Sequence, residues 1–320
     1  MSRSVLITGA GGYLGGQLTL SLAAEPGGLD TIVAADLHLP DKRLPGVEYE
    51  VFDIRDPAMT DILRRHHVDT VVHLAAIVTA GRNPDRELEH SIDVGGTRNV
   101  MDSCLAAGVG KVIISSSGAA YGYHADNPDW LREDDAIRGN VEFSYSDHKR
   151  QIEEMLAEWR RDHPERGQLI LRLGTILGRT TRNQITDLFD RPLILGLRGA
   201  ATPFVFIWDE DVVGVLRRGI ETDETGIFNV AGDGVMTMRE IAARLGKRYV
   251  SLPVRLVRSV LWVLRKLRLT QYGPEQVDFL RYRPVLDNTR LKERFGYVPR
   301  KTTAEAFEVF MEGRRGQTKA

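Results

Sequence analysis

The sequence predicts an α/β fold: a doubly wound parallel sheet that carries a smaller, mostly helical lobe toward the C-terminus. Three observations predict it. Short, nearly continuous apolar runs such as Val112-Ile113-Ile114 alternate with stretches of helical length, which requires crossover connections and a sheet covered on both faces. The first apolar run leads straight into a glycine-rich turn and then a helix-like stretch. The chain has 320 residues, more than one small core serves, so a second lobe is expected.

Taken in order, Val5–Thr8 reads as a buried strand and Leu14–Ala24 as a helix. Thr31–Asp36 and Val47–Asp53 read as strands, Met59–His66 as a helix and Thr70–Leu74 as a strand. Leu88–Ala107 is expected to be a long amphipathic helix, followed by a strand at Lys111–Ser116, a helix at Ser144–Arg160 and a strand at Gln168–Leu173. Beyond Gly174 the periodicity loosens, and Thr175–Thr202 is rich in Arg, Gly and Thr. Asp209–Ile220 reads as a helix and Ile227–Val230 as a strand, so the chain is expected to return to the sheet there. The sheet domain is therefore expected at residues 1–174 plus 207–231, and the second lobe at 175–206 plus 232–320.

Hydrophobic residues make up 42% and charged residues 27%, which leaves little room for extensive disorder. A formal net charge of −1 argues against a molecule built for nucleic acid. The single cysteine, Cys104, cannot form an intrachain disulfide, and its apolar surroundings suggest a buried structural thiol in a reducing cytoplasm. No signal peptide is expected before the first strand, and no run approaches the ~18 apolar residues of a membrane span. The histidines lack metal-ligand spacing, so no metal is expected.

The turn after the first strand reads Thr8-Gly9-Ala10-Gly11-Gly12-Tyr13-Leu14-Gly15. Glycines at 9, 12 and 15 let the backbone turn tightly and approach a pyrophosphate, and the following helix aims its free N–H groups at it. A plain strand–helix turn is the bland alternative. Asp36, at the end of the second strand, can accept hydrogen bonds from adenosine ribose hydroxyls and would repel a 2′-phosphate, which favours NAD over NADP. Asp53-Ile54 follows the third strand, where it either meets an adenine edge or caps the next turn.

Tyr145 and Lys149 lie four residues apart, one turn along one face of a helix. Free tyrosine has a pKa of ~10. A nearby ammonium and a positive nicotinamide ring favour the phenolate, which makes Tyr145 a general acid/base for a secondary alcohol or ketone. Ser115-Ser116-Ser117 ends the fifth parallel strand, at the sheet edge where ligands bind. A serine hydroxyl there can orient the substrate oxygen.

These motifs resemble those of the extended short-chain dehydrogenases/reductases of the NAD-dependent epimerase/dehydratase type. The resemblance covers nearly the whole chain and rests on Thr8–Gly15, Asp36, Asp53-Ile54, His73-Leu74-Ala75-Ala76, Ser115–Ser117 with Tyr121-Gly122, Tyr145-x-x-x-Lys149, Ile207–Asp211 and Asp287–Pro299. It implies a Rossmann fold with Ser117, Tyr145 and Lys149 as the catalytic set. It further implies that Tyr13, Leu14, the Leu74–Ala76 backbone, Ser115, Tyr145 and Lys149 join the glycines at the cofactor. A homodimer built by packing Leu88–Ala107 and Ser144–Arg160 against their copies is also implied.

The sequence departs from that pattern in places. Asp93 stands where the family usually has Asn. Phe204 stands where nucleotide-sugar members usually have a diphosphate-gripping Arg, although Arg281 and Arg283 lie where a second family Arg often sits and either meet a phosphate or belong to solvated surface or an ion pair. Residues 254–268 form an amphipathic stretch with Arg255, Arg258, Arg265 and Lys266 and no acid, readable either as a lid over the site or as a helix that lies on an anionic membrane. Phe204 and this stretch lead to the expectation of hydride transfer at a secondary alcohol or ketone of a lipid-like substrate, contacted by Ser117, Phe204 and Arg283. A nucleotide-sugar 4-epimerase or dehydratase with tightly bound NAD is the alternative. A non-catalytic cofactor sensor is the third reading.

Overall fold

The strands of the first half assemble as one layer whose inner, apolar members are covered on both faces. The computed structural model describes residues 3–38, 40–78, 85–267, 269–270 and 273–317. Arg268, the last residue of the basic stretch, and the outermost residues of both expected domains lie outside these. Strands β1 (Ser4–Thr8), β2 (Thr31–Asp36), β3 (Glu48–Val51), β4 (Thr70–His73), β5 (Lys111–Ser117) and β6 (Gly167–Leu173) follow the expected elements closely. Helices α1 (Tyr13–Ala24), α2 (Met59–Arg65), α3 (Arg86–His90), α4 (Gly96–Ala107) and α5 (Ser144–Asp162) connect them. The second half adds β7 (Thr175–Leu177), α6 (Gln184–Asp190), β8 (Leu193–Leu197), β9 (Pro203–Phe204), β10 (Phe206–Trp208), α7 (Asp209–Glu221) and β11 (Gly226–Val230). After these come β12 (Met236–Thr237), α8 (Met238–Arg244), β13 (Arg248–Leu252), α9 (Val254–Lys266), α10 (Gln276–Arg281), α11 (Thr289–Glu293) and α12 (Thr303–Gln317).

The central sheet has seven strands in the order β11-β6-β5-β4-β1-β2-β3, and every pairing in it is parallel. The strand order reverses beside β1, which opens a crevice at the carboxyl edge between β1 and β4. Alternation within each strand splits the core in two. Val5, Ile7 and Ile113 face α1 and α7, packing with Leu18, Leu22, Val212 and Leu216. Leu6, Val112 and Ile114 face α2, α4 and α5, packing with Met59, Val100, Cys104, Ile152 and Leu156. Cys104 is buried and its thiol is pushed up to about 12 by that burial, as an inert core residue.

The long helix expected at Leu88–Ala107 is interrupted. Between α3 and α4 the backbone widens into a π turn at Ser91–Gly95. The extra residue in that turn rotates Asp93 inward, where one carboxylate oxygen accepts the Ile77 N–H at 2.8 Å. Gly96 then passes so close to Ile54 that a Cβ would lie 2.5 Å from its Cδ1.

The stretch after Gly174, which reads as loose in sequence, forms three small ladders: β7 with β10, β8 with β13 and β9 with β12. Strands of two to five residues are too short to show alternation, so tertiary pairing rather than local pattern creates them. The second lobe has its own core, in which Phe189, Phe204, Phe206, Phe307 and Phe310 pack edge-on or stacked.

Candidate active site

The glycine loop leaves no room for side chains. Gly9 has φ +71°, and a Cβ there would sit 2.7 Å from the Ala75 nitrogen. A Cβ on Gly15 would meet the Gly9 carbonyl oxygen. Gly12 caps α1, no side chain bonds to the cap, and the first turn has no acid, so these N–H groups face outward. Asp36 reaches over the loop: its carboxylate accepts the Gly11 N–H at 2.9 Å and the Leu37 N–H at 2.7 Å. The bare loop, the helix N-terminus and the carboxylate at the β2 edge together fit a dinucleotide, with Leu74–Ala76 as the opposite wall.

Three expected cofactor residues also have partners within the protein. The Asp53 carboxylate forms a fork with Arg55, at 2.9 and 3.1 Å from Nε, and also accepts the Arg55 N–H, so it closes its own turn. The Arg55 hydrogen bonds hold the Asp53 pKa below the usual carboxylate range. Ile54 turns into the core against Gly96 and its carbonyl accepts from Asn99, so its side chain does not face a ligand. Tyr13 donates to Asp209 at 2.6 Å and accepts from Thr181 at 2.9 Å, pinning the loop to the start of α7.

At the carboxyl end of β5 the three serines separate by role. Ser115 donates to the His73 carbonyl. Ser116 is buried and donates to Glu153 at 2.5 Å. Ser117 alone shares a hydrogen bond with Tyr145, while its oxygen also accepts the Ala119 N–H at 3.1 Å. Lys149 donates to the Ser115 carbonyl at 2.9 Å, and its Nζ lies 5.7 Å from the centre of the Tyr145 ring. Burial pushes the Tyr145 hydroxyl up to about 12; the Ser117 hydrogen bond opposes this, and the nearby Tyr123 and Asp93 reinforce it. These surroundings favour the protonated form of Tyr145 in the chain without its cofactor. Burial also lowers Lys149, against the opposing pull of Asp93 and Glu153.

Beneath this set lies a buried polar layer. His73 Nδ1 meets Thr8 Oγ1 at 2.8 Å and its Nε2 meets Thr97 Oγ1 at 3.1 Å. Thr97 donates to the Asp93 carbonyl, so it accepts from Nε2–H, and Nδ1 accepts from Thr8. Burial keeps this imidazole neutral, with its pKa lowered to about 3. The second oxygen of Asp93 faces His148 Nδ1 at 3.1 Å, and both side chains are buried. The family's Asn is thus replaced by a carboxylate that has a histidine partner.

Sequence reasoning missed Arg172. Its guanidinium bonds both oxygens of Glu153, the Tyr121 hydroxyl at 2.7 Å and the Glu133 carbonyl at 3.0 Å, tying β6 to α5 behind the three serines. The signal was present: one cation inside the apolar run Leu169–Leu173 of a buried strand.

In front of Ser117 and Tyr145 opens a cavity of about 250 Å³. Leu173, Ile176, Ile185, Val205, Phe279 and Leu286 make its walls largely apolar. Arg283 enters it between the rings of Phe204 (4.1 Å) and Phe279 (5.0 Å). One guanidinium nitrogen bonds weakly to Thr175 at 3.3 Å; another, Nη1, is buried with no hydrogen-bond partner. Phe204, expected at the substrate, is fully buried in the lobe core and does not line the cavity. It acts only as the platform under Arg283. Asn183 and Gln184 also line the cavity, positioned by a capping box in which Asn183 accepts from the Thr186 N–H. That Asn-x-x-Thr spacing was the legible sign of a helix start.

The fold, the crevice and the Ser-Tyr-Lys cluster agree with a match of residues 5–198 to the NAD-dependent epimerase/dehydratase family. The chain belongs to that family. This chain is thus a member of a family described as NAD-dependent. It is 30% identical over 321 residues to an uncharacterized protein of Mycobacterium tuberculosis, spanning 98% of this chain and 84% of that one. It is 32% identical over 189 residues to the N-acetyl-alpha-D-glucosaminyl-diphospho-ditrans,octacis-undecaprenol 4-epimerase of Escherichia coli O157:H7, over 59% of this chain and 53% of that one. The crystal structure of UDP-glucose 4-epimerase from Thermotoga maritima shares the fold, with TM-score 0.77 at 19% identity over 99% of this chain and 100% of that one. Among the described residues, no helix is long and apolar enough to cross a membrane.

Proposed function

We propose that this epimerase/dehydratase interconverts a secondary alcohol and a ketone on a sugar joined through a diphosphate to an apolar chain. The unpartnered Nη1 of Arg283 carries this reading. A buried guanidinium costs free energy unless an anion meets it, and among the described residues no carboxylate is paired with it, so the substrate is to bring the negative charge. The apolar walls around it suit a hydrocarbon tail better than a second nucleotide. The name of the Escherichia coli relative, a lipid-diphosphate sugar epimerase, supports the same class.

When bound, NAD supplies the hydride acceptor and donor. Ser117 orients the substrate oxygen by a hydrogen bond. Tyr145 takes the hydroxyl proton as the alcohol becomes a ketone and returns it in the reverse step. Lys149 would hold the nicotinamide ribose and would stabilise the Tyr145 anion while it lasts. Both sugar faces can then be served with no net redox change.

The test compares one sugar carried on a prenyl diphosphate with the same sugar on uridine diphosphate, following the product by chromatography. The prenyl-linked form is expected to turn over at least ~10-fold faster. Arg283→Met should raise KM at least ~10-fold, and Tyr145→Phe should cut turnover at least ~100-fold with NAD still bound. A second reading, reduction of an uncharged lipid ketone, draws on the apolar walls alone. NADH consumption with a dispersed long-chain ketone that Arg283→Met leaves intact would replace the first reading with the second.

A further inference from the structure

Helix α9 presents an apolar face to solvent. Leu256, Val260, Val263 and Leu267 follow one another at helical spacing and are 49%, 47%, 44% and 61% exposed. Trp262 (55%) and Leu269 (71%) extend the patch. The protein side of the helix is made by Val254, Val257, Leu261 and Leu264, which are half-buried. The sequence suggests one apolar and one basic side; the structure shows apolar residues on two sides. Two of the cations hold the helix in place: Arg258 bonds Asp278 of α10 at 2.7 Å, and Arg265 bonds Glu275 at 2.8 Å. The other two, Arg255 and Lys266, flank the outer face, and Lys266 lies 5.0 Å over the Trp262 ring.

We infer that α9 is a docking surface for an anionic lipid bilayer, lying in the plane of the interface. Two observations select that occupant. Leu256, Val260, Val263 and Leu267 would enter the acyl boundary while Arg255 and Lys266 meet lipid phosphates; residues 254–267 contain no acid to oppose them. Trp262 under a cation is the side-chain chemistry of a headgroup layer. The patch is also too small for a stable pairing of two copies: a helix of this length spans ~20 Å, so its face offers a few hundred Å² at most against the ~800 Å² per partner of a standard interface. Because α10 supplies Phe279 to the cavity wall and is ion-paired to α9, docking sets the cavity beside the membrane. The surface stands without the substrate reading, and its test contains no substrate.

The experiment is co-sedimentation of the full chain with vesicles of phosphatidylglycerol and phosphatidylcholine, and with vesicles of phosphatidylcholine alone. Binding is expected to the first at low salt, weakening with added salt, and at least ~10-fold less to the second. The double variant L256S/V263S should lose at least ~10-fold in partition, since each change removes exposed apolar area, and R255E/K266E should lose a similar amount. Both sites are on the surface, so melting temperatures should match the wild type. Wild-type protein that stays in the supernatant with anionic vesicles overturns the inference. So does binding that both variants retain. A concentration-dependent dimer in sedimentation velocity that L256S/V263S abolishes would give this face to a second copy instead.

Discussion

Tyr145 sits in an environment that favours its proton. Burial and the Asp93 carboxylate both act in that direction, while Ser117 acts against them. Lys149, the residue expected to release the proton, is turned to the Ser115 carbonyl. Asp93 is thus an electrostatic brake on the phenolate, and it is held in place by the Ile77 N–H and His148. Alcohol oxidation needs the phenolate, so its rate rises with pH through the Tyr145 titration. Removing the Asp93 charge lowers that titration. In Asp93→Asn the rising limb of the kcat profile is therefore expected to move to lower pH by up to about one unit. An unmoved limb would show that Asp93 does not act on Tyr145.

At the scale of elements, the β1–α1 connection is the most constrained segment. Gly9 combines a left-handed φ with a backbone neighbour 2.7 Å from any Cβ. Gly9→Ala must therefore displace either the loop or the Leu74–Ala76 wall. Destabilisation of at least about 1–2 kcal/mol is expected, together with an NAD affinity at least ~10-fold weaker, read by thermal melting and by fluorescence titration. The π turn before α4 is a second special element. An uninterrupted helix was the natural reading of Leu88–Ala107, because apolar spacing reports a face and not a one-residue widening. Asp93 reaches the site only through that widening.

For the whole molecule, His73 joins β1, β4 and α4 in one buried hydrogen-bonded layer. Its pKa falls to about 3 in the fold, against about 6.5 when unfolded. Above about pH 6.5 both states leave it neutral and it adds no pH dependence. As the pH falls from there toward 3, the unfolded chain gains a proton that the folded chain refuses, so stability declines. The expected slope from this one group is up to about 1.4 kcal/mol per pH unit. Melting curves between pH 7 and 4 should therefore be flatter for His73→Asn than for the wild type. Equal slopes would mean that His73 is not the group responsible.

The sequence by itself determined the sheet and the family, and it pointed to the cluster of Ser117, Tyr145 and Lys149. Strand periodicity, glycine positions and the Tyr–Lys spacing are local, and local geometry carries them into the fold with little change. It did not determine which polar groups meet. Asp53 met Arg55, Ile54 turned inward, Phe204 became a platform and Arg172 locked the serines from behind, because each depends on a partner distant in sequence or on which way a side chain turns. The outward face of α9 was also decided only in three dimensions. A helical projection shows which residues share a side, and only packing against α10 shows which side is left to solvent.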